Sequence, residues 1–100
     1  MTEKEKADKV DALGNMAILK PDIDDLKEKR RKIIARLHEA LSNIGSDRGG
    51  YIIDYTTTHI DDLVQSLHTT QHALMVKVDE SNRHAERAGT GRILTRTITV

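Results

Sequence analysis

The sequence predicts an all-α protein built as an antiparallel helical hairpin with coiled-coil character. An apolar residue recurs at every seventh position of the second half, as expected for one line along a helix that needs a partner. A second apolar stripe, with steps of three and four, runs through the first half. A glycine-rich segment, residues 46–51, separates the two stripes and predicts the turn of the hairpin. The recurring apolar residues are Ile53, Ile60, Leu67 and Leu74.

The first helix of the hairpin is predicted over residues 22–45. Pro21 disfavours the α conformation at the residue before it, and Asp22 follows as a candidate N-cap. Gly45 is a typical residue just beyond a helix C-terminus. The residues predicted to pack against the other helix are Ile23, Leu26, Ile33, Leu37 and Ile44.

The second helix is predicted over about residues 52–88, and an antiparallel pairing follows from the short turn. In this pairing Ile44 faces Ile53, Arg30 faces Leu67 and Ile23 faces Leu74. Threonines at 56 and 70 occupy apolar positions of the repeat and weaken the second helix. The residues predicted to pack are Ile53, Ile60, Leu63, Leu67 and Leu74.

Residues 1–21 are predicted to form a weak N-terminal helix or arm. Val10, Leu13 and Ala17 have helical spacing, but Gly14 lowers the helix propensity by about 1 kcal/mol. We expect Pro21 to interrupt the chain, so that this arm folds back onto the far end of the second helix.

Residues 89–100 are predicted to form an extended, β-like tail. Gly89 and Gly91 end the helix, and β-branched residues follow in alternation. One interpretation is a loosely docked terminus, and the other is a strand that adds to a partner subunit. The residues of this possible partner strand are Ile93, Leu94, Ile98 and Val100.

Composition and charge argue against several classes of ligand. Sixteen basic residues balance sixteen acidic ones, and the chain has no cysteine. The balanced charge therefore argues against nucleic-acid binding through the basic run Lys27–Lys32, and the absence of cysteine excludes thiolate metal sites. His68 and His72 stand four residues apart, but both are predicted to lie away from the packed face. We expect no metal and no cofactor.

The sequence shows no catalytic signature and no long apolar run. Segment 45–50 lacks the Lys-Ser/Thr of a phosphate-binding loop, and a two-helix hairpin offers no pocket for a triad. We therefore expect no enzymatic activity. With no apolar run long enough for a membrane span or a signal peptide, we expect a cytoplasmic protein, or one that belongs to a particle or is exported without a Sec signal.

In outline the layout resembles the WXG family of small substrates of type VII secretion, which are helical hairpins with a glycine-bearing central turn. The turn here is Ile44-Gly45-Ser46-Asp47-Arg48-Gly49-Gly50, which lacks the family's tryptophan. The family's Tyr-x-x-x-acid signal aligns with Asn82-Arg83-His84-Ala85-Glu86, where the acid is kept and the tyrosine is not. The resemblance implies secretion as a helical protein, or a role as the partner of one.

These patterns together predict a non-enzymatic structural or interaction protein. The expected partner is protein: a second copy of the chain, or a larger phage- or secretion-related particle in which the hairpin is a small subunit. A type VII-like secreted protein is the alternative, and a regulatory adaptor that binds nucleic acid through Lys27–Lys32 is the third reading.

Overall fold

Two helices make up the fold seen in a computed structural model of the chain, which describes residues 2–100. Helix α1 spans Glu3–Ile44 and helix α2 spans Thr58–Ala88, and residues 2–100 contain no strand. The predicted all-α helical hairpin is thereby confirmed. The chain divides into two compact units: one joins α1 up to Asp24 with Leu74–Val100, and the other is Asp25–Ala73.

Helix α1 is a single helix of 42 residues, and Pro21 lies inside it. The predicted break at Pro21, with a separate weak helix before it, is therefore wrong. Proline in a helix interior removes one backbone hydrogen bond and crowds the carbonyl four residues earlier. Here the cost is offset by packing, because Leu19 and Ile23 on either side of the proline are both buried.

The packed face of α1 advances in alternating steps of three and four residues, the spacing of a coiled-coil seam. Near the N-terminus this seam does not use Val10, Leu13 and Ala17, as the sequence pattern suggested, because all three are exposed. It passes one residue earlier along the helix, through Ala12. The buried and half-buried residues of the α1 seam are Lys9, Ala12, Met16, Leu19, Ile23, Leu26, Arg30, Ile33, Leu37, Ala40 and Ile44.

Helix α2 has the same alternating spacing, but it begins later than predicted. Thr57 precedes its first turn, where the Thr57 carbonyl accepts the amide of Asp61 at 2.8 Å and the Thr57 hydroxyl donates to the Asp61 carboxylate at 3.1 Å. The run of β-branched threonines from 56 to 58 favours this late start. The buried and half-buried residues of the α2 seam are Ile60, Leu63, Leu67, Thr70, Leu74, Lys77, Ser81, His84 and Ala88.

The connection between the helices is residues 45–57, longer than the predicted turn of 46–51. Ile53 lies in this connection and is 96% exposed, so its predicted place in the seam, opposite Ile44, is wrong. The heptad spacing of Ile53 continues the ladder of α2, but the threonines between Ile53 and Ile60 keep that stretch out of the helix.

Polar contacts show that the helices run antiparallel within each unit. In the first unit Asp11 pairs with Arg87 at 3.3 Å, and Asp22 pairs with Lys77 at 3.7 Å. In the second unit Arg30 donates a hydrogen bond to Gln71 at 2.8 Å. Gln71 lies one helical turn beyond Leu67, the residue predicted to face Arg30, because the later start of α2 removes the pairing of Ile44 with Ile53 that set the predicted register.

Candidate interaction surfaces

The predicted packing residues fall into three groups by burial. Ile23, Ile33, Leu63 and Leu74 are buried. Half-buried positions along the same seams are Leu26, Leu37, Ile44, Ile60 and Leu67. Ile53 alone lies outside both seams, on the exposed connection.

Thr70 is the weak point of the α2 seam. Only 2% of this residue is exposed, and its hydroxyl has no hydrogen-bond partner within the described part of the chain. A buried hydroxyl without a partner costs about 1–3 kcal/mol. The unpaired hydroxyl of Thr70 is therefore one physical cause of the predicted weakening of α2.

We expect Thr70→Val to raise the free energy of unfolding by about 1 kcal/mol or more, because valine keeps the branched shape and removes the unpaired hydroxyl. Urea titration followed by circular dichroism measures the change. Thr69→Val is the matched control: Thr69 is exposed and its hydroxyl donates to the Gln65 carbonyl at 3.1 Å. If both variants gained equally, helix propensity and not the buried hydroxyl would explain the result.

The second unit exposes apolar side chains along one side of its helix pair. Ile34 follows the seam residue Ile33, and Val64 follows the seam residue Leu63. In an antiparallel pair, a step of one residue past the seam turns both helices toward the same side, because the two right-handed helices are viewed in opposite directions. Leu41 lies seven residues after Ile34, on the same line of α1. We name Ile34, Leu41 and Val64 the side surface.

The side surface is partly open to solvent. Ile34 is 40% exposed, Leu41 57% and Val64 37%. Residues that precede seam positions face the other side of the pair, and there the second unit is polar: Lys29, Lys32, Arg36, Asp62, Ser66 and Thr69, all exposed. On the helices of this unit, the large exposed apolar side chains therefore lie on one side.

The first unit has exposed apolar residues in the equivalent place on α1. Leu13 follows the buried Ala12 by one residue, and Val10 lies on the neighbouring turn. Val10 and Leu13, which the sequence pattern assigned to the packed face, thus lie beside the seam.

The charged and titratable residues of the helices form no compact site. Glu28 and Arg31 pair at 2.6 Å within the basic run, and hydrogen bonding from Arg31 lowers the pKa of the Glu28 carboxyl from its ordinary value. His68 and His72 are both exposed. Across residues 2–100, no three metal-ligating side chains are grouped closely enough to hold an ion.

The connection between the helices carries both tyrosines of the chain on an exposed segment. Gly49 and Gly50 have φ of 84° and 141°, backbone conformations that favour glycine. The Asp47 carboxylate then accepts the amide of Ile52 at 3.0 Å. From Tyr51 to Thr57 the chain has neither a turn nor a bend.

The C-terminal tail is held against α2 by one side chain. Gly89, with φ of 68°, ends the helix, and the Thr90 amide donates to the Ala85 carbonyl at 3.0 Å. Asn82 then binds both backbone groups of Ile93: its carboxamide oxygen accepts the Ile93 amide at 2.7 Å, and its nitrogen donates to the Ile93 carbonyl at 3.0 Å. This pair of bonds has the pattern of a strand neighbour.

Ile93 is half exposed, and the other residues of the predicted partner strand, Leu94, Ile98 and Val100, are strongly exposed. A cleft lies between α2 and the tail, lined by Asp79, Asn82, Arg83, Glu86 and residues 92–95. In the region that the structure describes, neither helix is apolar over a sufficient length to span a bilayer. Comparison with protein-family models, curated proteins and solved structures finds no match for this chain.

Proposed function

We propose that this protein is a non-enzymatic interaction protein, a helical hairpin that self-associates and serves as a small subunit of a larger assembly. The observation that carries the proposal is the side surface. Ile34, Leu41 and Val64 are aliphatic, lie on one side of the second unit and are left partly exposed by the seam. Aliphatic side chains gathered on one side of a helix pair are typical of a surface that another helix covers.

A second copy of the chain is a suitable partner for the side surface. When identical helix pairs meet about a two-fold axis parallel to the helices, α1 of one copy lies against α2 of the other. On this side α1 contributes the cations Lys27 and Arg31, and α2 contributes the anion Asp61, each one residue past a seam position. The two helices therefore carry opposite charges on the side that the second copy covers, which favours α1 against α2 over α1 against α1. Four helices then surround one core, as in a four-helix bundle.

The test is the double variant Ile34→Glu, Leu41→Glu, examined by sedimentation velocity over a range of micromolar concentrations. We expect the wild-type protein to associate as its concentration rises. The double variant should lose the dimer formed through the side surface, because two carboxylates cannot be buried in an apolar contact without a large desolvation cost.

The matched control is Ala35→Glu, since Ala35 is exposed and lies on the helix face away from α2. This variant should associate like the wild type. Circular dichroism of all three proteins shows whether the hairpin is retained. A wild-type protein that stays monomeric throughout, or a double variant that associates as well as the control, would overturn the proposal.

A further inference from the structure

Two extended segments of the chain lie outside both helices and have the composition of β-strands. Most of their backbone groups make no hydrogen bond within residues 2–100; the exceptions are the Ile52 and Tyr55 amides, the Thr57 carbonyl and both groups of Ile93. The loop segment is Tyr51–Thr57 and the tail segment is Arg92–Val100. Each runs without a turn or bend, and every residue in both is exposed. Both are rich in β-branched and aromatic residues, which favour strands. A strand needs a neighbour to satisfy its amides and carbonyls.

The tail segment has one occupied edge and one open edge. In an extended chain the amide and carbonyl of one residue point to the same side, and those of the next residue point to the opposite side. Asn82 binds both groups of Ile93, so the edge of Ile93 faces α2. The opposite edge belongs to Leu94, Arg96 and Ile98, whose backbone groups make no hydrogen bond within residues 2–100.

The loop segment offers side chains that complement this open edge. Asp54 is its only charged residue, and Ile52 stands two positions before Asp54, on the same face of an extended chain. The tail segment also has a charged and an aliphatic residue two positions apart, but in the opposite order: Arg96 is followed by Ile98. An antiparallel ladder therefore places Asp54 opposite Arg96 and Ile52 opposite Ile98, and cross-strand pairs of both kinds are stabilising. In this ladder the Ile52 amide exchanges its bond with the Asp47 carboxylate for one with the Ile98 carbonyl.

We propose that the tail segment of one copy adds as an antiparallel strand to the loop segment of a second copy. The inference rests on the self-association proposed above, but it uses a different surface. Thr56 opposite Leu94 completes the three cross-strand pairs of the ladder. Asn82 contributes by holding the tail in place, which lowers the entropy lost on pairing.

The two segments of one copy are attached to opposite ends of α2. Asn82 lies 24 residues after Thr58, the first residue of this helix, which is about 36 Å at 1.5 Å per residue. Leu94 directly follows the residue that Asn82 holds, and Thr56 stands two residues before the helix, so these two cannot meet within one copy. The pairing is therefore one between copies. Because loop and tail are different surfaces, the contact is heterologous, and each copy can receive one neighbour and offer its tail to another.

The test is charge reversal by Asp54→Arg in one preparation and Arg96→Asp in another. Each variant alone places like charges opposite each other, so we expect the extended, higher-order species of the wild type to be lost in sedimentation velocity. In a mixture of the two variants, the loop of each variant can pair with the tail of the other variant, which has the opposite charge. We expect the mixture to regain the higher-order species. Wild-type protein truncated after Thr90 should lack them.

The matched control for the charge variants is Asp62→Arg, because Asp62 is an exposed aspartate on α2 outside the loop segment. This variant should keep the higher-order species of the wild type. Failure of the Asp54→Arg and Arg96→Asp mixture to regain higher-order species, or their loss in Asp62→Arg, would overturn the strand pairing. Association that disappears only in the side-surface variant, and is unchanged in both charge variants, would support the proposed function and contradict the strand pairing.

Discussion

Replacing Pro21 by alanine is expected to raise the free energy of unfolding by about 3 kcal/mol. Pro21 lies in the interior of α1 and is exposed, so its side chain contributes no buried packing. Alanine restores the missing amide, which can bond to the Ala17 carbonyl, and removes the crowding that the proline ring imposes. The gain is reduced by several tenths of a kcal/mol, because alanine leaves the unfolded chain freer than proline does.

Urea denaturation followed by circular dichroism at a fixed protein concentration measures this change. Lys20→Ala is the control, since it substitutes the preceding exposed residue and disturbs only the surface ion pair with Asp24. A variant at Pro21 that gained no stability, or lost some, would contradict one helix continuing through the proline. It would favour instead two helices that meet at residue 21.

The second large effect is expected when a buried side chain in the α2 seam is shortened to alanine. Leu74 is buried between the helices of the first unit. We expect Leu74→Ala to lower the free energy of unfolding by about 2–5 kcal/mol, through lost burial and the cavity that remains. For a domain of this size, whose total stability is on the order of 5–15 kcal/mol, that is a large part of the whole.

Met75→Ala is the matched control for Leu74→Ala. Met75 is the next residue of α2 and about half of it is exposed. Its truncation should cost less than about 1 kcal/mol, because little apolar area leaves a packed environment. Equal losses of unfolding free energy in the two variants would mean that α2 packs through a different face, one that does not favour Leu74 over Met75.

The fold class could be predicted from sequence because the heptad spacing of α2 is regular over several turns. Ile60, Leu67 and Leu74 belong to the seam because nothing between them opposes helix formation. Ile53 has the same spacing, but three consecutive threonines follow it. Periodicity therefore identified the right face of α2, and local propensity decided where the helix begins.

The N-terminal part of α1 was predicted less well, for two physical reasons. Pro21 reads as a helix boundary in isolation, but burial of Leu19 and Ile23 around it overrides that preference. The seam there also uses Ala12 and the stem of Lys9 in place of larger aliphatic residues. The more apolar line through Val10 and Leu13 attracted the prediction to the wrong face.

The candidate surfaces depend on features that the sequence pattern does not contain. From its spacing alone, Ile34 belongs to the packed stripe of α1. The position of α2 in the structure places it beside the seam instead. The alternation of the tail predicts a β-like segment, but the sequence gives no signal for Asn82, because its role depends on the return of Ile93 to the helix. A polar residue on an outer helix face, followed at some distance by a β-like tail, is the pattern that could have suggested it.

The central claim is that this hairpin self-associates. The most direct test is to measure the midpoint of thermal unfolding as a function of protein concentration. Association that involves only the folded state stabilises it by mass action. We therefore predict that the midpoint of the wild-type protein rises steadily as its concentration is raised through the micromolar range. A midpoint that is the same at every concentration would contradict the claim.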